Sequence, residues 1–202
     1  MAQNIFGHVE GQGINFRYVS TYSWLDKLGQ AALHNYKVVI RQTFYHGCYA
    51  MIGEDLNPNP DFWISALYKK LVSTKVFQVE PESKIMGKLR LYSHCGVINA
   101  SLVVFGLNME NYTRKILLDT TEESKTLCSY NFTPISANYE GLKNRDIKLN
   151  GNALKLHSNG TVPNLLAYSK CGEYNPKETL EVEPYSLFFW LFKDITNLKM
   201  CE

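Results

Sequence analysis

Between Trp24 and Phe77 the chain reads as helix, strand, long polar loop and second helix in immediate succession, and no other stretch limits the fold as strongly. Trp24, Leu28 and Ala31 or Ala32 recur at helical spacing, whereas Lys37 to Phe44 (KVVIRQTF) is a β-branched run short enough for a strand buried on both faces. Asn59 is then expected to cap the next helix, with Pro60 at its first position, Asp61 against the positive end of the dipole and Lys69 and Lys70 toward the other end. Phe62, Trp63, Leu67, Leu71 and Val72 form its apolar stripe. This order is that of the closing helix, strand and helix of a β/α (TIM) barrel. In such barrels the loops after the strands carry the site, so ligand contacts are expected between Tyr45 and Pro58.

From Lys75 onward the pattern is all-β. Strands are expected at 75–79, 88–94, 97–107, 113–118, 126–132, 146–149, 153–157 and 180–192, with Asn150-Gly151 as a tight hairpin turn. Residues 136–145 and 169–178 read as loops, being rich in Asn, Tyr, Gly and Lys without an apolar period. Short strands at this spacing predict a β-sandwich. The expected organisation is a divergent or truncated leader over 1–23, the end of a (β/α)8 barrel over 24–74 and a C-terminal sandwich over 75–202.

The wording from Trp24 to about Val104 resembles that of the heparanases, endo-β-glucuronidases of glycoside hydrolase family 79. The carriers, in order, are WLDKLG, VVIRQTFY, the Gly-x-Tyr of Gly47, Cys48 and Tyr49, NPNPDFW, and LYKKLVSTKV. Later the likeness is thinner, resting on LNG in the hairpin, the aromatic YSLFFW and the terminal Cys. The resemblance implies a barrel followed by a sandwich, hydrolysis of heparan-sulfate glucuronosyl bonds by double displacement, and no cofactor. It also implies that Gly47 and Tyr49 line the uronic-acid subsite and that Cys95 pairs with Cys201. A Gly admits close backbone approach, and a Tyr ring with its hydroxyl suits a sugar with an apolar face and polar rim.

Retaining glycosidases need an acid/base carboxyl and a nucleophilic carboxylate roughly 5 to 5.5 Å apart. In the family these are the Glu of an Asn-Glu pair and a strand-end Glu, both upstream of the part matched here, and this chain has no Asn-Glu dipeptide. Glu10 is the nearest acid, in HVEGQG, without a strand before it. No catalytic residue is therefore assigned, and the chain alone is expected to be inactive. The other reading is a non-catalytic, heparan-sulfate-binding or regulatory sandwich module. Glu54, Asp55 and His46 lie on the loop, Asp26 and Asp61 read as helix-start acids, and His94 reads as structural.

Lys plus Arg number 21 against 19 Asp plus Glu, which gives no global attraction for nucleic acid. Affinity for a sulfated polysaccharide must then be local, with Lys69, Lys70, Lys75, Lys88 and Arg90 as candidates that otherwise read as solvated faces. Sequons at Asn99, Asn111 and Asn159, a weaker one at Asn131 before Pro134, and five cysteines favour an extracellular or lysosomal glycoprotein. The opening residues do not read as a signal peptide, and no run is long enough to span a bilayer. A missing N-terminal part or separate small subunit of the same protein is thus an expected partner. Cys48, Cys128 and Cys171 leave an odd thiol, and no spacing suggests a metal site.

Overall fold

The run Leu187–Phe192 is apolar at every position, so as a strand it needs a dry layer on both faces. The computed structural model, which describes residues 13–80, 87–119, 124–195 and 201, provides both. Leu187, Phe189 and Leu191 pack into one core with the helices, and Phe188, Trp190 and Phe192 pack into a second core on the opposite side.

In chain order the described elements are α1 (Ser20–Leu33), β1 (Thr43–Tyr45), β2 (Ala50–Ile52), α2 (Pro60–Leu71), β3 (Val72–Phe77), β4 (Leu89–Gly96), β5 (Leu102–Asn108) and β6 (Arg114–Ile116). They continue with β7 (Thr126–Pro134), β8 (Ile147–Leu149), β9 (Asn152–Ala153), β10 (Lys170–Glu173), β11 (Leu180–Val182) and β12 (Ser186–Lys193). Eight strands form one antiparallel sheet in the order β3-β4-β5-β12-β7-β8-β9, with β10 beside the first half of β7. The helices cover one face, and the two-stranded ribbon of β6 and β11 adds its Ile116 and Val182 to the core of the other.

α1 stops where Asn35 turns to φ 60°, with the Asn35 and Tyr36 amides donating to Ala32 and Ala31 in a Schellman-type cap. α1 lies against the sheet through Gly29, where any Cβ would overlap the Tyr92 ring of β4. Tyr92 continues into a stack with Phe105 and then Phe189, so aromatic rings run from the helix contact to the central strand. α2 passes into β3 without a linker residue, and its Ile64, Leu67 and Leu71 share one core with the sheet.

Several expectations are corrected. Of the strand expected over Lys37–Phe44 only Thr43 and Phe44 are in β1, which pairs in parallel with β2 alone; Val38 and Ile40 are 70% and 82% exposed instead of buried. Burial of a parallel strand on both faces needs a layer packed over each, and Val38 and Ile40 stand on a segment without regular pairing and largely open to solvent. The expected loop 169–178 contains β10, which the Cys128–Cys171 disulfide ties to β7 at a directly paired position. The expected strand 97–107 is a turn as far as Ser101 and a strand only from Leu102. The run 180–192 divides into β11 and β12, which belong to different sheets. From Gly13 onward the expected leader is integrated: Tyr18 is fully buried, its hydroxyl donates to Phe132 O at 2.8 Å, and the Tyr18 amide donates to Asn144 O. The Asn150-Gly151 hairpin turn is present, with φ of 48° and 86° joining β8 to β9.

Cys95 at the end of β4 is joined to Cys201 across a Cα–Cα distance of 5.5 Å. In the chain-entropy account, closing 106 residues this way stabilises by about 5 kcal/mol before native-state costs. No helix among the described residues is long and apolar enough to cross a membrane.

Replacing Gly29 with Ala, although favourable for an isolated helix, is expected to lower unfolding free energy by about 1–3 kcal/mol in denaturant titration, because α1 must lift from Tyr92. Cys201→Ser is expected to lower it by up to about 5 kcal/mol.

Candidate functional site

The loop after β1 begins with a reversal, His46 at φ 55° and Gly47 at φ 132°, the second being a conformation that only glycine adopts readily. The turn closes through the Ala50 amide, which donates to Gly47 O at 3.2 Å. Tyr49 is half-buried directly before β2, and the segment it leads is held from below by side chains of other elements.

Arg41 is the first of these. Its Nε donates to Tyr49 O at 3.0 Å, and its guanidinium lies 4.9 Å from the Trp24 ring centroid and 5.4 Å from that of Tyr49. Arg41 Nη2 also makes a short ion pair with Asp61 Oδ2. Asp61 is 1% exposed, and its other oxygen accepts from Ser20 Oγ of α1 at 3.2 Å. The carboxylate is therefore a buried junction between α1, α2 and the loop, rather than only the helix-start acid expected. Burial pushes its pKa up to about 6, although Arg41 and Ser20 act to lower it.

Asn59 is the second support. It stands at the N-cap position of α2, yet its side chain does not cap the helix. Asn59 Nδ2 instead donates to Ala50 O at 2.8 Å, while its backbone amide donates to Met51 O at 2.8 Å, so α2 and β2 are joined edge to end.

The outer part of the loop is fastened to the segment between β7 and β8. Arg145 Nη1 and Nη2 donate to the two Asp55 oxygens at 2.6 and 2.9 Å, and Nη2 also donates to Asn57 O at 2.6 Å. This bidentate pair holds the Asp55 carboxyl well below the usual carboxylate range. Between the fastened loop and the segment at Phe16 and Arg17 lies a cleft of about 580 Å³, lined in part by Arg17, His46, Gly47, Cys48, Glu54 and Arg145.

Tyr49 thus comes together with Arg41, Trp24 and Asp61, and Gly47 lines the cleft instead, while the remaining acids of the sequence reading fall elsewhere. Glu54 is exposed and 3.5 Å from His46 Nδ1. Asp26 stands in the middle of α1, accepting from the Tyr92 hydroxyl at 2.6 Å and lying 3.7 Å from Arg90 Nε. His94 is buried against Phe105; its Nδ1 donates to Ser73 O at 2.9 Å, and burial lowers its pKa. Glu10 lies outside the described residues. Arg90 and Lys88 face Asp26 and Glu110, which offsets their charge, whereas Lys69 and Lys70 are exposed in the last turn of α2. Asn99, Asn111 and Asn159 are exposed; Asn131 sits in β7 between paired strands with its Oδ1 buried. Cys48 is exposed and unbridged, and among the described residues no group of His, Cys, Asp and Glu is placed to hold a metal.

Arg41 and Asp61 gave no sign of one another in the sequence. They are 20 residues apart, on a segment without regular pairing and on a helix end. The only available signal was the cost of a charged residue inside an apolar run, KVVIRQTF, which demands a partner somewhere.

No family model matches the chain. It is 32% identical over 197 residues to inactive heparanase-2 of Homo sapiens, covering 90% of this chain and 32% of that protein. It is 32% identical over 184 residues to heparanase of Gallus gallus, covering 88% and 34%. Against hyaluronoglucuronidase of the leech Hirudo nipponia the identity is 34% over 202 residues, covering 94% and 38%. The chain therefore spans about a third of the length of the curated relatives it matches.

The Asp61 carboxyl is expected to titrate with a midpoint near pH 6 by carbon-detected NMR, and to move higher in Arg41→Gln, which removes a group that lowers it. The folded pKa is raised above the unfolded value of about 3.9, so the folded state binds this proton more tightly. Wild type should therefore gain stability relative to Asp61→Asn as pH falls from 7 toward about 4, read by denaturant titration at each pH.

Proposed function

We propose that this heparanase-like chain is the C-terminal part of a glycoside hydrolase acting on glucuronosyl bonds of heparan sulfate or a related polysaccharide, and that Gly47 and Tyr49 contact the uronic-acid unit. The observation that carries the reading is the coincidence of two facts. Homology to heparanase and hyaluronoglucuronidase extends across nearly the whole chain, and the loop expected to bind sugar is anchored on three sides, with Tyr49 half-buried and its neighbours Gly47, Cys48 and Ala50 lining a cleft. In this reading residues 24–74 are the last helix, strand and helix of a β/α barrel, 75–202 are the sandwich, and both catalytic carboxylates come from polypeptide outside this sequence.

The exposed Val38, Ile40 and Phe44 and the edge of the β1–β2 pair that is unpaired among the described residues support that assignment, since further parallel strands would pair the edge and the helices packed on them would cover the side chains. The partner is then the N-terminal part of the same protein or a small subunit derived from it. The proposed setting is extracellular or lysosomal, with glycans at the exposed Asn99, Asn111 and Asn159; two disulfides in a chain of this length support it. No cofactor is needed, because carboxylates supply the proton transfer and the nucleophile.

A second reading is a binding module that does not cleave. It is favoured by the 32% identity to a heparanase relative that is itself named inactive.

Purified chain incubated with end-labelled heparan sulfate is expected to retain the polymer on a filter without shortening it. Chain shortening that a single Asp or Glu substitution abolishes would overturn the assignment of the acids to another polypeptide. Tyr49→Ala should weaken retention by about tenfold, the order lost with one sugar-stacking ring and its hydroxyl. Equal retention of hyaluronan would place the specificity in the uronic acid rather than in sulfate.

A further inference from the structure

We infer that Arg41, clamped by Asp61, is the positioning residue of the uronic-acid subsite. It fixes Tyr49 by its backbone and its ring together. The inference rests on the reading of Tyr49 as a sugar contact, and it adds residues that neither the relatives nor the sequence reading assigned.

Three features of Arg41 carry it. The guanidinium is a planar fork that serves several partners at once: Nε donates to Tyr49 O, Nη2 pairs with Asp61, and its central carbon lies over the rings of Trp24 and Tyr49. A lysine in the same place keeps the charge and loses the fork. Asp61 is itself held, by Ser20 Oγ on one oxygen and by the helix of which it is the second residue. The chain of contacts then reaches the core, because Trp24 Nε1 donates to Ser65 Oγ at 2.8 Å and Ser65 Oγ donates to Asp61 O at 2.7 Å. Trp24, the face on which Arg41 rests, is therefore tied to the same helical turn that supplies the carboxylate.

The consequence is that Tyr49 rests on a guanidinium which is itself held in place by an ion pair to a buried carboxylate. Arg41 is 15% exposed and Asp61 1%, so opening the pair leaves a charge in an apolar setting. The subsite is in this way prepared before the sugar arrives, and a displacement of about 1 Å in such a group is enough to lower function by orders of magnitude. Asn59 supports the next two residues, Ala50 and Met51, so the segment is held on both sides of the Tyr49–Ala50 peptide.

The test uses Arg41→Lys and the milder Asp61→Asn in the full chain, with a glucuronate-containing heparan-sulfate tetrasaccharide as probe. Both variants are expected to bind it about tenfold more weakly than wild type at a temperature where all are folded. In a Tyr49→Ala background Arg41→Lys should cost nothing further, because the two act as one unit. Gly29→Ala, which loosens α1 at Tyr92, serves as a destabilised control and should bind within about twofold of wild type. Independently of any sugar, amide hydrogen exchange at Tyr49 and Ala50 should quicken in Arg41→Lys and Asp61→Asn and stay unchanged in Gly29→Ala. Unchanged exchange in both variants would overturn the inference, as would losses that simply add to those of Tyr49→Ala. Quickened exchange with no tetrasaccharide binding even by wild type would uphold the positioning role and overturn the sugar assignment on which the functional reading depends.

Discussion

The two-sided burial of β12 is the constraint from which the architecture follows. A strand with Leu, Phe, Phe, Trp, Leu and Phe in succession has no polar face to offer water, so it must lie inside a sheet and between two layers. Its neighbours β5 and β7 pair along almost its whole length, which satisfies the backbone, and the helices and the β6–β11 ribbon take the two faces. Because α1 and α2 are the cover of one face, the loop between them is positioned by the same burial that holds the central strand.

The site is built on that cover by polar contacts that are few and dry. Arg41, Asp61 and Asn59 each cross from one element to another, and each replaces a solvation that burial has removed. Such groups add little net stability compared with apolar packing; what they contribute is a single allowed arrangement of the backbone from Tyr49 to Met51.

Local pattern in the sequence was sufficient for both helices, for the Asn150-Gly151 turn and for most strands, because periodicity and turn chemistry act over a few residues. It failed where the outcome depends on distant partners. The run KVVIRQTF has the composition of a buried parallel strand, yet among the described residues only its end is paired, and Val38 and Ile40 before it are exposed. β10 carries no apolar alternation and exists through its pairing with β7 and the Cys128–Cys171 link. Asp61 read as a helix-start acid by the same logic, and only the fold brings Arg41 to it. Gly47 and Tyr49 were legible as a motif, but the reasons for their placement lie in residues without one.

The grip of Arg145 on Asp55 bears on how this family of sequences can vary. Residues 136–145 look like a connection free to lengthen or shorten, being polar, irregular and on the surface. They are in fact a measured strap, tethered at Asn144 and Leu142 to the start of α1 and at Arg145 to the outer loop. A change of length there would shift Arg145, and with it the far margin of the cleft that this residue lines, so the shape of the opening depends on how many residues separate β7 from β8.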